Sequence, residues 1–257
     1  MFWEELTWGA PPEGFVKRTD NHRARWIVRQ DREREINFSA CLDDHDGLMD
    51  SRHSGRARLR ALRLSDGETA LIRSYHHGGV FRSYTGTWFF TWPPRPFREL
   101  AITEELRRRG IRTVEVYAAG VSYGVVPFYR GWLVVRELVD SQDLWTALQN
   151  GFLQRVGRPA ILRAVAQSLR AMHREGVYHA DLNLRNILVR AEADSVVSYL
   201  IDFDKTKLFL GKLPAELVKR NLDRLQRSAL KLDPERKYLP ATAWDEFLGF
   251  YHEAANG

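Results

Sequence analysis

Between Lys17 and Lys205 the chain contains no lysine. A permanent cation supplied by the intervening residues is therefore an arginine, which presents a planar fork of donors where lysine offers a single point charge. Cysteine is almost absent as well. Cys41 is the one thiol, so no intrachain disulfide can form, and a reducing compartment is expected. No apolar run approaches the ~20 residues that a membrane-spanning helix requires. The opening stretch MFWEELTWGAPPEG lacks both the basic and the apolar part of a secretory signal. These absences point to the cytosol or a cytosolic membrane face. The chain also lacks a GxGxxG motif, internal repeats and low-complexity segments.

Of the 257 residues, 44% are hydrophobic, which excludes wholesale disorder and allows one large domain or two modest lobes. The net charge of +6 calls for an anionic partner: nucleic acid, an anionic membrane or an anionic small substrate. No basic–aromatic pattern of a nucleic-acid-binding motif accompanies that charge, so nucleic acid is not the expected partner. Most of the eight tryptophans are expected in the core.

The chemistry concentrates between residues 178 and 204. His179-Ala180-Asp181 is followed by Asn186, which opens the apolar run Ile187 to Val189. A second run, Val196 to Ile201, ends directly in Asp202. Both runs are rich in β-branched or aromatic residues, with a turn-like Ala191 to Ser195 between them, which predicts a hairpin. Its open end would set Asn186 beside Asp202, with Asp181 on the loop just upstream. Hard oxygen ligands hold Mg²⁺, and a free carboxylate takes the proton of an attacking hydroxyl, so this set suits phosphoryl transfer. The spacing is that of the kinase elements HRDLxxxxN and DFG, read here as HADLNLRN and DFD. Asp181 is the candidate catalytic residue, and Asn186 and Asp202 are the candidate metal ligands. ATP and Mg²⁺ are the expected cofactors. Asp204 stands where the Gly of DFG would be and is a further candidate ligand.

The N-terminal half supplies the rest of the layout. Asp66-Gly67 is a hairpin turn signal, and Thr69 to Arg73 reads as the strand after it. Arg73, in ALIR, occupies the place of the lysine in a VAIK motif. A helix is predicted from Pro96, ending at Gly110, with Glu99 as the partner of Arg73 and Glu104 and Glu105 as open alternatives. Gly55 is the glycine available to a phosphate loop, whose backbone N–H groups near Ser54 to Arg56 would face the phosphates. Trp132 to Leu138 reads as a buried strand leading into a hinge, where backbone groups from Glu137 to Val139 would face an adenine ring. Further expectations are a helix from Phe38 to Met49 and strands at Val114 to Tyr117 and Val121 to Phe128. A short helix at Leu144 should break at Asn150-Gly151, and an amphipathic helix should run from Pro159 to Gly176. Two last helices are placed near 214–231 and 241–254. His76 and His77 lack further metal-ligand partners and are read as surface or substrate contacts. The fold class that follows is α+β, a two-lobed protein-kinase-like fold. Its small β-rich N-lobe covers 1–136 and its mostly helical C-lobe covers 137–257.

The stretches IRSYHHGG (72–79), RPFRELAITEELRRRGI (95–111), YHADLNLRNIL (178–188), LIDFDKTKL (200–208) and NLDRLQRSALK (221–231) resemble the Kdo kinases. Those enzymes phosphorylate 3-deoxy-D-manno-octulosonic acid (Kdo) in the lipopolysaccharide inner core. The resemblance implies a two-lobed kinase-like fold, ATP with Mg²⁺, Asp181 as the catalytic Asp, and Asn186 and Asp202 as metal ligands. It also implies transfer to the 4-OH of Kdo on a lipid A precursor, at the cytoplasmic face of the inner membrane. Ala180 replaces the Arg, and Asn183 the Lys, of a protein-kinase loop, and no APE motif follows. These departures favour a small sugar acceptor over a protein. Arginine clusters (Arg56, Arg58, Arg60, Arg63; Arg107 to Arg109) suit an anionic acceptor and an anionic membrane surface. Lys205 or Lys207 is a candidate for holding the substrate carboxylate. The alternatives are a kinase for another lipopolysaccharide sugar such as heptose, or a non-catalytic pseudokinase, which the missing glycine motif and the Arg at position 73 would allow.

Overall fold

A computed structural model describes residues 10–20, 24–42, 49–50, 60–75, 88–124, 128–193 and 195–253. The chain forms two compact units, one of residues up to Glu105 with Val114–Glu137, the other of Leu106–Thr113 with everything from Leu138 onward.

The first unit is built on an antiparallel sheet. In chain order its elements are β1 (Phe15–Thr19), β2 (Arg25–Arg29), α1 (Phe38–Leu42), β3 (Met49–Asp50), β4 (Arg60–Arg63), β5 (Thr69–Ser74), α2 (Arg95–Arg108), β6 (Val116–Tyr123) and β7 (Tyr129–Arg136). The strand order is β1-β2-β6-β7-β5-β4-β3. Alternation along each strand sends side chains to two buried layers. Trp26, Val28, Ile72 and Val134 enter one layer with Cys41, and Ile27, Leu133 and Tyr75 enter the other with Phe97 and Leu100 of α2. Gly67 turns the β4–β5 hairpin at a left-handed φ of 87°, a conformation that glycine adopts without steric cost.

Two expectations change here. The strands expected at 114–117 and 121–128 are one strand, β6, continuous through Ala118 to Gly120. Those small residues have low strand propensity, but Gly120 lies under the Trp26 ring, where an added Cβ would sit 2.3 Å from a ring carbon. Packing against that ring outweighs local propensity. The helix from Phe38 ends at Leu42, and Met49 lies in β3, paired with Ala61. The polar opening segment contains β1, which pairs along its whole length with β2.

The second unit contains β8 (Gln142–Asp143), α3 (Leu144–Gln149), α4 (Gly151–Val156), α5 (Arg158–Arg174), β9 (Val177–Tyr178), a 3₁₀ turn (Leu184–Asn186), β10 (Ile187–Glu192), β11 (Ser195–Leu200), β12 (Lys207–Leu208), α6 (Ala215–Leu232) and α7 (Ala241–Glu253). Asn150 ends α3 as expected. Its side chain then accepts from Phe152 N–H at 2.9 Å and so caps α4, a helix not anticipated from the sequence. The predicted stripe of α5 is buried at Ile161, Leu162, Val165, Ala166, Leu169 and Met172. Gly176 follows at φ 70°; a Cβ there would lie 2.2 Å from the Gly211 carbonyl oxygen and 2.5 Å from that of Phe209, so only glycine fits. That close approach lets β12 pair with β9 just ahead of the Asp181 loop. Among the described residues no helix is long and apolar enough to cross a membrane.

Candidate active site

In the second unit β10 and β11 pair from Ile187↔Leu200 to Glu192↔Ser195. Ile201 N–H then donates to the Asn186 carbonyl at 3.0 Å, one step past the last ladder pair. Asn186 and Asp202 therefore flank the same end of the hairpin, as the two apolar runs predict. Asn186 Nδ2 donates to the Asp181 carbonyl at 2.8 Å, and Asn183 Nδ2 donates to the same oxygen at 2.8 Å. With its NH₂ group bound inside the loop, the oxygen Oδ1 is the atom Asn186 could offer a cation. Asp202 has a φ of 67°, a left-handed conformation that costs a non-glycine residue about 1 kcal/mol or more. Asp is among the few side chains that tolerate it, and the same turn directs the chain out of β11 into Phe203. A carboxylate and an amide oxygen on one hairpin end fit Mg²⁺, which takes one or two protein ligands and completes its shell with water and phosphate. Among the described residues no group of three or more His, Cys, Asp and Glu side chains is gathered for a metal.

His179 is fully buried. Its Nε2–H donates to the Ile201 carbonyl at 3.0 Å, and its Nδ1 accepts from Asp181 N–H at 3.2 Å. The ring thus ties the Asp181 loop to the residue just before Asp202. Burial lowers its pKa, so it stays neutral in the tautomer these bonds require. Phe203 packs against it with ring centroids 5.1 Å apart. The Asp181 side chain remains 54% exposed, with Arg224 Nη1 at 3.8 Å from Oδ1.

A second support comes from α6. Asn221 is fully buried. Its Oδ1 accepts from His179 N–H at 3.2 Å, and its Nδ2 donates to the His179 carbonyl at 2.7 Å. His173 of α5 donates from Nε2 to Asn221 Oδ1 at 3.2 Å and accepts at Nδ1 from the Tyr251 hydroxyl of α7 at 2.8 Å. Two helical turns after Asn221, Ser228 Oγ accepts from Leu184 N–H at 3.2 Å. Sequence reasoning missed this set. The available signal was polar residues at 221 and 228 on the buried side of an otherwise apolar helix stripe.

In the first unit Arg73 of β5 is ion-paired with Glu99 of α2. Tyr75 donates its hydroxyl to the same Glu99 oxygen at 2.5 Å, and Arg73 Nη2 lies 3.2 Å from that hydroxyl. Glu99 is the partner among the three alternatives; Glu104 accepts instead from Val116 N–H at 3.3 Å. Tyr75 was not foreseen, although it lies two residues beyond Arg73 on the same strand face. Glu137 donates its N–H to the Thr69 carbonyl at 2.9 Å. Asp204 is buried, whereas Lys205 and Lys207 are exposed. Gly55, Arg56, Arg58, His76 and His77 lie outside the described residues. Two of the clustered arginines serve the fold: Arg60 donates to the Cys41 carbonyl at 2.5 Å and Arg109 to the Glu175 carbonyl at 2.8 Å, both at helix ends where carbonyls need donors.

The sequence pattern of the lipopolysaccharide kinase (Kdo/WaaP) family matches residues 50–251. A 3-deoxy-D-manno-octulosonic acid kinase of Vibrio vulnificus is 34% identical over 164 residues, which are 62% of this chain and 64% of that one. The chain thus spans just under two thirds of that relative's length. The enzyme of the same description from Photobacterium profundum is 31% identical over 213 residues, 80% of this chain and 85% of that one. A solved structure described as WaaP in complex with acyl carrier protein aligns with a TM-score of 0.53 and 21% identity over 89% of each chain. At that identity it establishes the fold alone, which is protein-kinase-like and α+β. Matched from β3 to α7 and carrying that fold, the chain belongs to the lipopolysaccharide kinase (Kdo/WaaP) family.

Proposed function

We propose that this protein transfers the γ-phosphoryl group of ATP to the 4-OH of a Kdo residue on a lipopolysaccharide inner-core acceptor of the Kdo-lipid A type. The observation that carries this reading is the hairpin end bearing Asn186 and Asp202, bonded through Ile201 and His179 to the loop of Asp181. Asp181, exposed on that loop, orients the sugar hydroxyl and takes its proton as the new O–P bond forms and the bond to ADP breaks. Asn186 Oδ1 and the Asp202 carboxylate would hold Mg²⁺, which would supply charge neutralisation at the phosphates. Arg73 is assigned to phosphate charge neutralisation, its direction held by Glu99 and Tyr75. Adenine recognition is assigned to backbone groups from Glu137 to Val139. Gly55 is assigned to the phosphate loop. Arginine at position 73 keeps the charge that catalysis needs, which argues against a pseudokinase.

Work at the cytoplasmic face of the inner membrane follows from the acceptor and is supported by surface chemistry. Phe90, Trp92 and Phe128 are 67%, 55% and 48% exposed, and such rings suit a lipid interface. The net charge of +6 suits anionic headgroups.

The test is transfer of labelled phosphate from ATP to Kdo-lipid A and to a heptose-bearing acceptor, with the phosphorylated position determined. The expected product is the 4-phosphate of Kdo. Asp181→Asn is expected to reduce turnover by roughly 10²–10⁴-fold with the thermal midpoint unchanged. Transfer to heptose alone, or undiminished turnover in that variant, overturns the assignment.

A further inference from the structure

Helix α6 carries four cations on one face. Arg220, Arg224, Arg227 and Lys231 follow each other at intervals of four, three and four residues. At about 100° per residue they fall within an arc of about 60° and extend along about 16 Å of helix. Arg220, Arg227 and Lys231 are exposed, and the Arg224 side chain is 42% exposed. The neighbouring arc of the same helix is pinned by Asn221 to His179 and by Ser228 to Leu184. The cationic ridge is therefore held at a fixed height beside the Asp181 loop.

Arg224 is the member nearest the reacting position. Its Nη1 lies 3.8 Å from Asp181 Oδ1, beyond hydrogen-bonding range, and both groups face solvent. A pair of that kind contributes little to stability. The Arg224 guanidinium is thus an exposed cation next to the carboxylate that an acceptor hydroxyl must reach. Asn183, at the loop position where a kinase lysine would stand, has its amide on the Asp181 carbonyl. The cation beside the base then comes from α6 rather than from the loop.

We propose that this face of α6 is the acceptor-recognition element, with Arg224 binding an anionic oxygen group that adjoins the reacting hydroxyl and the other three cations binding further anionic groups along the acceptor. This rests on the reading of Asp181 as the catalytic carboxylate. The chemistry required is a carboxylate of a sugar acid or a phosphate of a lipid headgroup, either of which an arginine fork grips with two parallel bonds. Lys205 and Lys207 are then relieved of the role of carboxylate ligand.

The test uses the full chain with Arg224→Gln, Arg224→Lys and the triple variant Arg220→Gln/Arg227→Gln/Lys231→Gln. Steady-state constants are measured for ATP and for three acceptors: Kdo-lipid A, its carboxyl-reduced form and its dephosphorylated form. Arg224→Gln is expected to raise the KM for Kdo-lipid A by roughly tenfold to a hundredfold, leaving the KM for ATP unchanged, and Arg224→Lys to recover part of it. The triple variant raises the same KM less steeply. If Arg224 reads the carboxylate, its substitution has no effect on the carboxyl-reduced acceptor; if it reads a lipid phosphate, the effect disappears on the dephosphorylated one. An unchanged acceptor KM in both the Gln and triple variants overturns the proposal. So does a change confined to the KM for ATP, or one that persists equally on all three acceptors. Asp181→Asn measured alongside separates the two claims: full turnover there removes Asp181 from catalysis whatever Arg224 does, whereas a dead Asp181→Asn with a normal Arg224→Gln removes Arg224 alone.

Discussion

Glu99 is only 2% exposed and receives donors from both Arg73 and Tyr75. A carboxylate so buried is costly unless it is paired, and removing Arg73 takes away a cation that offsets that cost. Arg73→Ala is expected to lower stability by about 3 kcal/mol and to abolish turnover. Arg73→Lys should recover most of the stability but less of the rate, because one point charge cannot reach Glu99 and a phosphate with the same fork. Urea midpoints of the two variants check this, and an Arg73→Ala protein as stable as the parent would refute it. Cys41 is a second residue with a definite behaviour. It is fully buried, and burial pushes its thiol pKa up to about 12, so no thiolate forms near neutral pH. Iodoacetamide should leave it unmodified in the native protein and label it completely in urea. At this scale Arg73 and Glu99 were legible, because strand and helix positions constrain which side chains can meet. Tyr75 was not, because a hydroxyl that completes a buried carboxylate looks in sequence like any strand aromatic.

The long elements were legible from periodicity. The stripe of α5, the ends of α6 and α7, and the β10–β11 hairpin all follow local rules of spacing and turn chemistry. What α6 does was hidden, because its role depends on which loop it packs beside. Asn221 illustrates this, since it satisfies both backbone groups of His179 from 42 residues away. Asn221→Ala removes the side-chain acceptor of the buried His179 N–H and of His173 Nε2–H, leaves the His179 carbonyl only its bond from Leu182 N–H, and is expected to cost about 2–4 kcal/mol. If Asn221 positions the loop, kcat should fall while the KM for ATP stays close to the parent value. An equal loss through KM alone, or no change in kcat among correctly folded protein, would reduce Asn221 to a purely structural amide. The element-scale failures share a cause. α4 exists because Asn150 both ends one helix and caps the next, and β6 is continuous because a glycine lets Trp26 approach.

Across the molecule, pH acts on stability through two histidines held neutral in the interior. Burial pushes His173 down to about 4, against a donated bond to Asn221 that raises it, and His179 shifts in the same direction. A histidine whose folded pKa lies below its unfolded value of about 6.5 binds more protons when unfolded between those values. Stability is therefore complete above about pH 6.5 and declines as pH falls toward 4, with His173 alone accounting for about 3 kcal/mol over the full span. Urea midpoints measured from pH 7.5 to pH 5 should fall steadily, and His173→Gln should flatten that slope; a pH-independent midpoint in the parent protein would contradict the mechanism. Order and spacing along the chain were sufficient to put Asn186 and Asp202 at one end of the β10–β11 hairpin, because a hairpin is a local object whose geometry follows from a few consecutive residues. The partner of Arg73, the neutral tautomer of His179, the clamp of Asn221 and the cation beside Asp181 depended on the tertiary structure. Each is a contact between residues far apart in sequence, and which side chains meet across such distances is decided by packing of whole elements, which no local pattern encodes.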